Sequence, residues 1–234
     1  MDKYLKDSTY FFNNVYPYLT KKDQKECLKK LNEELKNIKL FNEKKELEKI
    51  LLSNDIVKSI EENKEMLLTI IPELNDMIGF EHNHPHHHLD VWEHTICALS
   101  YSCNDFDLRI CLLLHDIGKP YSYQDGEVRH FKGHPKASSN ISRNILNRLG
   151  YEKDHVEKIC YLIENHDNPL TYYDVLDNFD LSLERYLIQY CDALAHNPEK
   201  LEKRKQYLKN TLEKFKEVKP NIEKRVKKKI KYNL

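Results

Sequence analysis

Six residues able to bind metal or move protons stand where helical spacing turns them toward apolar neighbours. His115 follows Cys111 and Leu112 by four and three residues and Asp116 follows Leu112 by four, so both extend the buried stripe of "DLRICLLLHDIG". His94 lies three after Val91 and four before Ala98, His166 lies three after Ile163, and Asp192 falls between Ile188 and Ala195. His134 precedes Pro135, a favoured first helical residue, and is expected at the cap of "PKASSNI". One histidine on an apolar face is ordinarily a core residue with its ring nitrogens satisfied. Six such groups differ, because buried carboxylates need counter-charge and few inward-facing Lys or Arg are in view. One or two divalent metal ions satisfy the whole set. Imidazoles and carboxylates without a thiolate cluster suit Mn, Ni, Co, Fe, Mg or Zn rather than a structural Cys-type zinc site. If Asp116 gives one oxygen to each of two ions ~3.5–4 Å apart, the pair clamps a phosphoryl group and holds a hydroxide nucleophile.

These side chains need helices to position them, and the chain supplies them. Only five glycines occur in 234 residues, and periodicity near 3.6 dominates over alternation. The expected fold is all-α, a helical bundle with an N-terminal helical extension and a basic C-terminal helix. Thr20 and Asp23 start a helix whose stripe is Leu28, Leu31, Leu35 and Ile38, and shorter pieces follow in "EKKELEKILLS", "NDIVKSIEEN" and "KEMLLTIIPEL". In "YSYQDGEVRHF", Asp125-Gly126 between β-favouring residues predicts a small hairpin, the only sheet expected. The predicted organisation is an N-terminal helical region over 1–85 packed on the core, a catalytic domain over 86–198 and a basic helical tail over 199–234.

Charge and cysteine usage bound the possibilities further. Lys+Arg and Asp+Glu cancel at 38 each, yet between Lys200 and Lys231 basic residues exceed acidic ones by ten. A solvated helix face explains such a run, and so does a surface for nucleic acid. The six cysteines form no C-x-x-C pair and read as reduced core residues. No apolar run approaches the ~20 residues of a membrane span, and the opening "MDKYLKDSTYFF" lacks the pattern of a secretory signal, so a cytoplasmic location and no membrane partner are expected.

The ordered set His94 … His115-Asp116 … His134 … His166 … Asp192, with "HDIGKP" closing an apolar helix, resembles the HD superfamily of metal-dependent phosphohydrolases in its histidine-rich version. "NHPHHHLDVWEHTICAL" is similar to a segment of bacterial CCA-adding tRNA nucleotidyltransferases, and "ILLSNDIVKSIEEN … LLTIIPELNDM" looks like the helical stretch preceding it there. The likeness covers roughly residues 40 to 196. No glycine-rich GS motif followed by D-x-D occurs in these residues, so an HD domain without the nucleotidyl-transfer head is expected, and CCA addition is not.

By position, the resemblance implies one ion on His94, His115, Asp116 and Asp192 and a second on Asp116, His134 and His166. It implies Lys119 as a stabiliser of charge on phosphate in the transition state, and His87 as a contact to substrate or to a ligand. Arg129 and His130, beside the hairpin, are candidate substrate contacts, and Asp167 is a candidate to orient His166. His82, His84, His86 and His88 read as loop decoration, and His155 and His196 as surface or capping residues. The implied reaction is hydrolysis of a phosphomonoester or phosphodiester, including a 2′,3′-cyclic one, in a nucleotide or RNA end. Two other readings use the same residues: a non-catalytic module binding RNA or nucleotide, and a di-iron oxygenase of the HD type.

Overall fold

Capping residues decide where the helices of this protein begin. The structure is a computed structural model and describes Asn13 and residues 16–230; sequence expectations on the remaining residues, including Lys231 at the end of the basic stretch, lie outside the described residues. Cα proximity divides the chain into two compact units, Met1–Glu43 and Lys44–Leu234.

In the first unit, helix α1 (Lys21–Leu51, continuing into the second unit) starts at Thr20, whose Oγ1 accepts from the Asp23 amide at 3.2 Å. The stripe expected to be buried here is not. Leu28, Leu35 and Ile38 are 41%, 55% and 57% exposed. "EKKELEKIL" is part of α1 rather than a separate piece. No Gly or Pro interrupts it, so nothing in the backbone chemistry stops the helix there.

The second unit begins to bury its apolar residues at Leu47, Ile50 and Leu51. Arg109, fully buried, donates from Nη1 to the carbonyls of Leu51 and Ser53 and from Nε to Ser102 Oγ, and so satisfies carbonyls at the end of α1 that have no intrahelical donor. Short helices α2 (Ile56–Glu62) and α3 (Lys64–Ile70) lead to the site-bearing part. Helix α4 (Val91–Ser100) is fixed by a capping box in which Asp90 accepts from the Glu93 amide at 2.6 Å, and Asp90 Oδ2 also accepts from Gly79 N at 2.8 Å. Helix α5 (Phe106–Leu114) buries everything from Leu108 to Leu114 and leaves His115 as its C-cap. Helices α6 (His134–Arg148) and α7 (Lys153–Glu164) pack as a pair, and α8 (Tyr172–Asp177) leads into α9 (Phe179–Leu194).

Helix α9 is the axis of the unit. It packs against α4, α5, α7 and α8, and on its other side against α10 (Leu201–Val218). Its continuous buried run from Arg185 to Ala193 is what a helix enclosed on all sides requires. The single charged C-terminal helix read from the sequence is two helices, α10 and α11 (Ile222–Lys229), with Pro220 between them where an amide donor is missing. Leu208, Phe215, Ile222 and Val226 bury one face of this pair.

No strand forms among the described residues, and the expected hairpin reduces to a single antiparallel bridge between Gln124 and His130. The second arm is drawn elsewhere: the Arg129 amide donates to Asn83 O at 3.0 Å and its guanidinium to Glu81 O at 2.6 Å. His134 is the first residue of α6 rather than its cap; Gly133, at φ +81°, holds that position.

Gly118 controls how the turn after α5 meets α6. Its amide donates to Ser138 Oγ at 2.9 Å. A Cβ placed there would lie 2.5 Å from Ser138 N and 2.8 Å from both Ala137 Cβ and His134 O. Two of these atoms are helix backbone and cannot rotate away, so Gly118→Ala is expected to cost roughly 1–3 kcal/mol. Chemical denaturation of the metal-free protein checks this; an unchanged midpoint would show that α6 does not depend on this approach.

Candidate metal centre

Six buried or nearly buried histidines share one arrangement: Nδ1 faces a backbone carbonyl and Nε2 is the ring atom left to face other groups, where it can give a lone pair to a metal once it carries no proton. The pairs are His115 with Leu112 O at 2.7 Å, His134 with Phe131 O at 2.8 Å, His166 with Ile163 O at 2.7 Å and His94 with Ala195 O at 3.3 Å. His196 with Asp192 O at 2.8 Å and His82 with Leu89 O at 2.9 Å complete the set. Four of these carbonyls belong to the residue three or four positions earlier in the chain, so each of these rings folds back on its own local backbone; the carbonyls of Phe131, Ile163 and Asp192 also accept a backbone amide.

The Nε2 atoms converge on two carboxylates. Asp116 Oδ2 lies 3.3 Å from His115 Nε2 and 3.7 Å from His94 Nε2, and Asp192 Oδ1 lies 2.8 Å from His94 Nε2 and 3.6 Å from His115 Nε2. The other oxygen of Asp116, Oδ1, faces a second pair, His134 Nε2 at 3.2 Å and His166 Nε2 at 3.9 Å. Asp116 therefore stands between two donor sets and offers one oxygen to each. His115 Nε2 and both Asp116 oxygens are buried without a hydrogen bond of good geometry. Unsatisfied buried acceptors that face one another fit a divalent cation, and these groups could hold one or two.

Positive charge is nearer than the sequence suggested. Lys119, 5% exposed, brings Nζ to 2.7 Å from Asp116 Oδ2 and 3.0 Å from His82 Nε2. Lys119 lies three residues after Asp116, and the short 3-10 turn Lys119–Tyr121 folds its side chain back. Burial alone would raise the Asp116 pKa, but the charges of His115 and Lys119 hold it well below the usual carboxylate range. Burial likewise opposes a charged His115, yet Asp116 and Asp192 outweigh it and raise that imidazole to about 10. His82 goes the other way, to about 2, through burial and then Lys119.

Two histidines read as peripheral belong to this cluster. His196 is 3% exposed and groups with His94 and Asp192, and His82 is 1% exposed and stacks on His87 with ring centroids 3.7 Å apart. His196 follows Asp192 by four residues but lies past the end of α9, so the spacing alone did not mark it as inward; His82 lies in a loop without periodicity and carried no such signal. His86 and His88 are exposed, and His155 pairs with Asp107 Oδ1 at 2.8 Å, away from the cluster. Asp167 approaches the Nε2 side of His134 and His166, at 3.4 and 3.7 Å, while the orientation of His166 comes from Ile163 O. An open cavity of about 190 Å³ leads to the two carboxylates, lined by His84, His87, Arg129, His130 and Phe131 among others. The guanidinium of Arg129 is already engaged with Asp125 Oδ1 at 2.7 Å and Glu81 O.

An all-α bundle that gathers four histidines and two aspartates beneath one cavity defines a class, and residues 85–197 match the family model of the HD domain. Among curated relatives, the CC-adding tRNA nucleotidyltransferase of Thermus thermophilus is 30% identical over 161 residues, which cover 64% of this chain and 36% of that protein. The A-adding tRNA nucleotidyltransferase of Deinococcus radiodurans is 33% identical over 131 residues, 52% of this chain and 30% of that protein. The chain thus spans about a third of the length of these relatives. Among the described residues, no helix is long and apolar enough to cross a membrane.

Metal binding must displace the proton that His115 holds in the metal-free protein. Because the folded value is raised from 6.5 to about 10, this proton's contribution to stability is complete below pH 6.5 and is lost as pH rises through about 10. Titration of Mn²⁺ or Ni²⁺ at pH 8 is expected to release about one proton per chain from this group. Calorimetry in buffers of different ionisation enthalpy measures it, and identical heats would mean that no charged imidazole is being deprotonated.

Proposed function

We propose that this chain is a metal-dependent phosphohydrolase that cleaves a phosphomonoester or phosphodiester bond, including a 2′,3′-cyclic one, in a nucleotide or at an RNA end. The observation that carries the reading is the bridging posture of Asp116, with Oδ2 toward His94 and His115 and Oδ1 toward His134 and His166. Divalent ions held there supply Lewis acidity and a water acidic enough to attack phosphorus near neutral pH.

The chain's own residues do the rest. Asp192, with His94, His115 and Asp116 Oδ2, makes one ligand set; His134, His166 and Asp116 Oδ1 make the other. The carbonyl bonds to Nδ1 keep these rings from rotating, so the donor atoms are already in place before anything binds. Lys119 is the catalytic cation: with Nζ beside Asp116 Oδ2 it stands within reach of a phosphate oxygen at the same centre, where charge grows in the transition state. His87, Arg129 and His130 line the way in and contact the nucleoside part of the substrate. The family relation supports phosphate-ester chemistry, and the relatives' names, both tRNA nucleotidyltransferases, support an RNA end as the substrate.

Hydrolysis of bis-p-nitrophenyl phosphate and 2′,3′-cyclic AMP with added Mn²⁺ or Ni²⁺ tests the reading. Asp116→Ala should lower turnover by about a hundredfold or more, and His134→Ala by less, because only Asp116 belongs to both sets. Equal residual rates would remove the bridging assignment. Wild-type protein inert with every metal would sink the phosphohydrolase reading in favour of a binding module, and iron with O₂ consumption would favour an oxygenase.

A further inference from the structure

Three cations line the cavity, and two are already committed. Lys119 is held by Asp116 and His82. Arg129 is held by Asp125 and the Glu81 carbonyl and lies 4.8 Å from the ring centres of both Phe80 and Tyr123. The third, Arg204, lies on the first turn of α10, half-exposed, and its recorded ion pair is a loose one, Nη1 to Asp192 Oδ2 at 3.8 Å. A guanidinium carries five N–H donors in a fixed fork, so most of its donor capacity is directed at the cavity and solvent.

The start of α10 is also fixed relative to the mouth of the cavity. Asn197 donates from its amide to His86 O at 2.9 Å and from Nδ2 to Pro85 O at 3.2 Å, joining the α9–α10 connection to the histidine-rich loop. Lys200 and Lys203 precede Arg204 by four and one residues at the start of α10. Burial first, and then the charges of Arg204, Lys200 and Lys203, lower the pKa of His86. This is the beginning of the basic stretch noted in the sequence, and at this end it adjoins the HD cavity.

We propose that Arg204, at the basic start of α10, forms a second phosphate subsite, so that the protein prefers substrates with two neighbouring phosphates to substrates with one. The inference rests on the phosphohydrolase reading of the same cavity. A planar fork beside the Asp192 end of the metal centre suits bidentate binding of a phosphate while its neighbour occupies the centre. The second phosphate is either the next one along a nucleic-acid strand or the next one in a phosphoanhydride.

Binding of the 5′-phosphorylated dinucleotide pApA against ApA, and of ADP against AMP, to metal-free protein in EDTA tests the subsite without turnover. The wild type is expected to favour the two-phosphate member of at least one pair by about tenfold, as one charge-assisted pair predicts, with the preference weakening as salt rises. Preference in the dinucleotide pair identifies a strand, and preference in the ADP pair identifies a phosphoanhydride. Arg204→Gln should collapse the ratio toward one and Arg204→Lys should keep part of it. With metal present, the kcat/KM ratio of the pair should fall by a similar factor, through KM. Equal wild-type affinities within both pairs, or a full preference in Arg204→Gln, would overturn the proposal. If Arg204→Gln does not fold, Arg204→Ala reads the same ratio, and a full wild-type ratio there or in Arg204→Lys counts against the subsite. A preference that Arg204→Gln abolishes in a protein without hydrolytic activity would keep the subsite and reject the phosphohydrolase reading.

Discussion

A carboxylate sealed from water has to be compensated, and the fold of residues 85–197 is arranged around that requirement at Asp116. The aspartate sits one residue past the C-cap of a helix buried from Leu108 to Leu114, so it cannot retreat to solvent without pulling α5 out of the core. Four imidazoles and one ammonium surround it instead. Each imidazole is held by a backbone carbonyl, so the backbone of the bundle fixes the rings of its chemical centre. Desolvation makes this an unstable arrangement for neutral partners and a good one for a cation, which is the balance a metal site exploits.

The helical character and the six inward-turned side chains were legible because both depend on local spacing. His94, His115, His166 and Asp192 each have apolar residues three or four positions away, and the structure brings them together with Asp116 and His134. His196 obeys the same rule relative to Asp192 but lies past the last apolar position of α9, where inward and outward faces cannot be told apart without knowing what covers them. His82 was out of reach for a different reason: its position is set by a carbonyl seven residues later and by the ring of His87, contacts with no periodic trace. The hairpin failed where tertiary contacts overrode turn propensity, since Arg129 serves Glu81 and Asn83 instead of a partner strand. The leucines of α1 show the converse, a helical stripe that was correct in period and wrong in burial.

Loop and helix are coupled at the cavity mouth. The histidine-rich segment gains order from stacking of His82 on His87 and from the two Asn197 bonds, so its shape depends on residues more than one hundred positions away in sequence. Composition drew attention to this segment, and the resemblance implied His87 as a contact at the site; what the sequence did not place is the packing that makes the segment a wall of the cavity. Its counterpart, the basic start of α10, reads in the sequence as a solvated charge run and in the structure borders the same opening.

His94 and Asp192 are 98 residues apart, and their 2.8 Å contact closes one donor set. A chain emerging from a ribosome displays the histidine loop, α4 and the His-Asp turn long before α9 exists. During that interval the first ligands are separated from their carboxylate partner by a loop whose closure entropy has not yet been recovered by packing. The donor set is therefore complete only once α9 has packed against α4, α5 and α7.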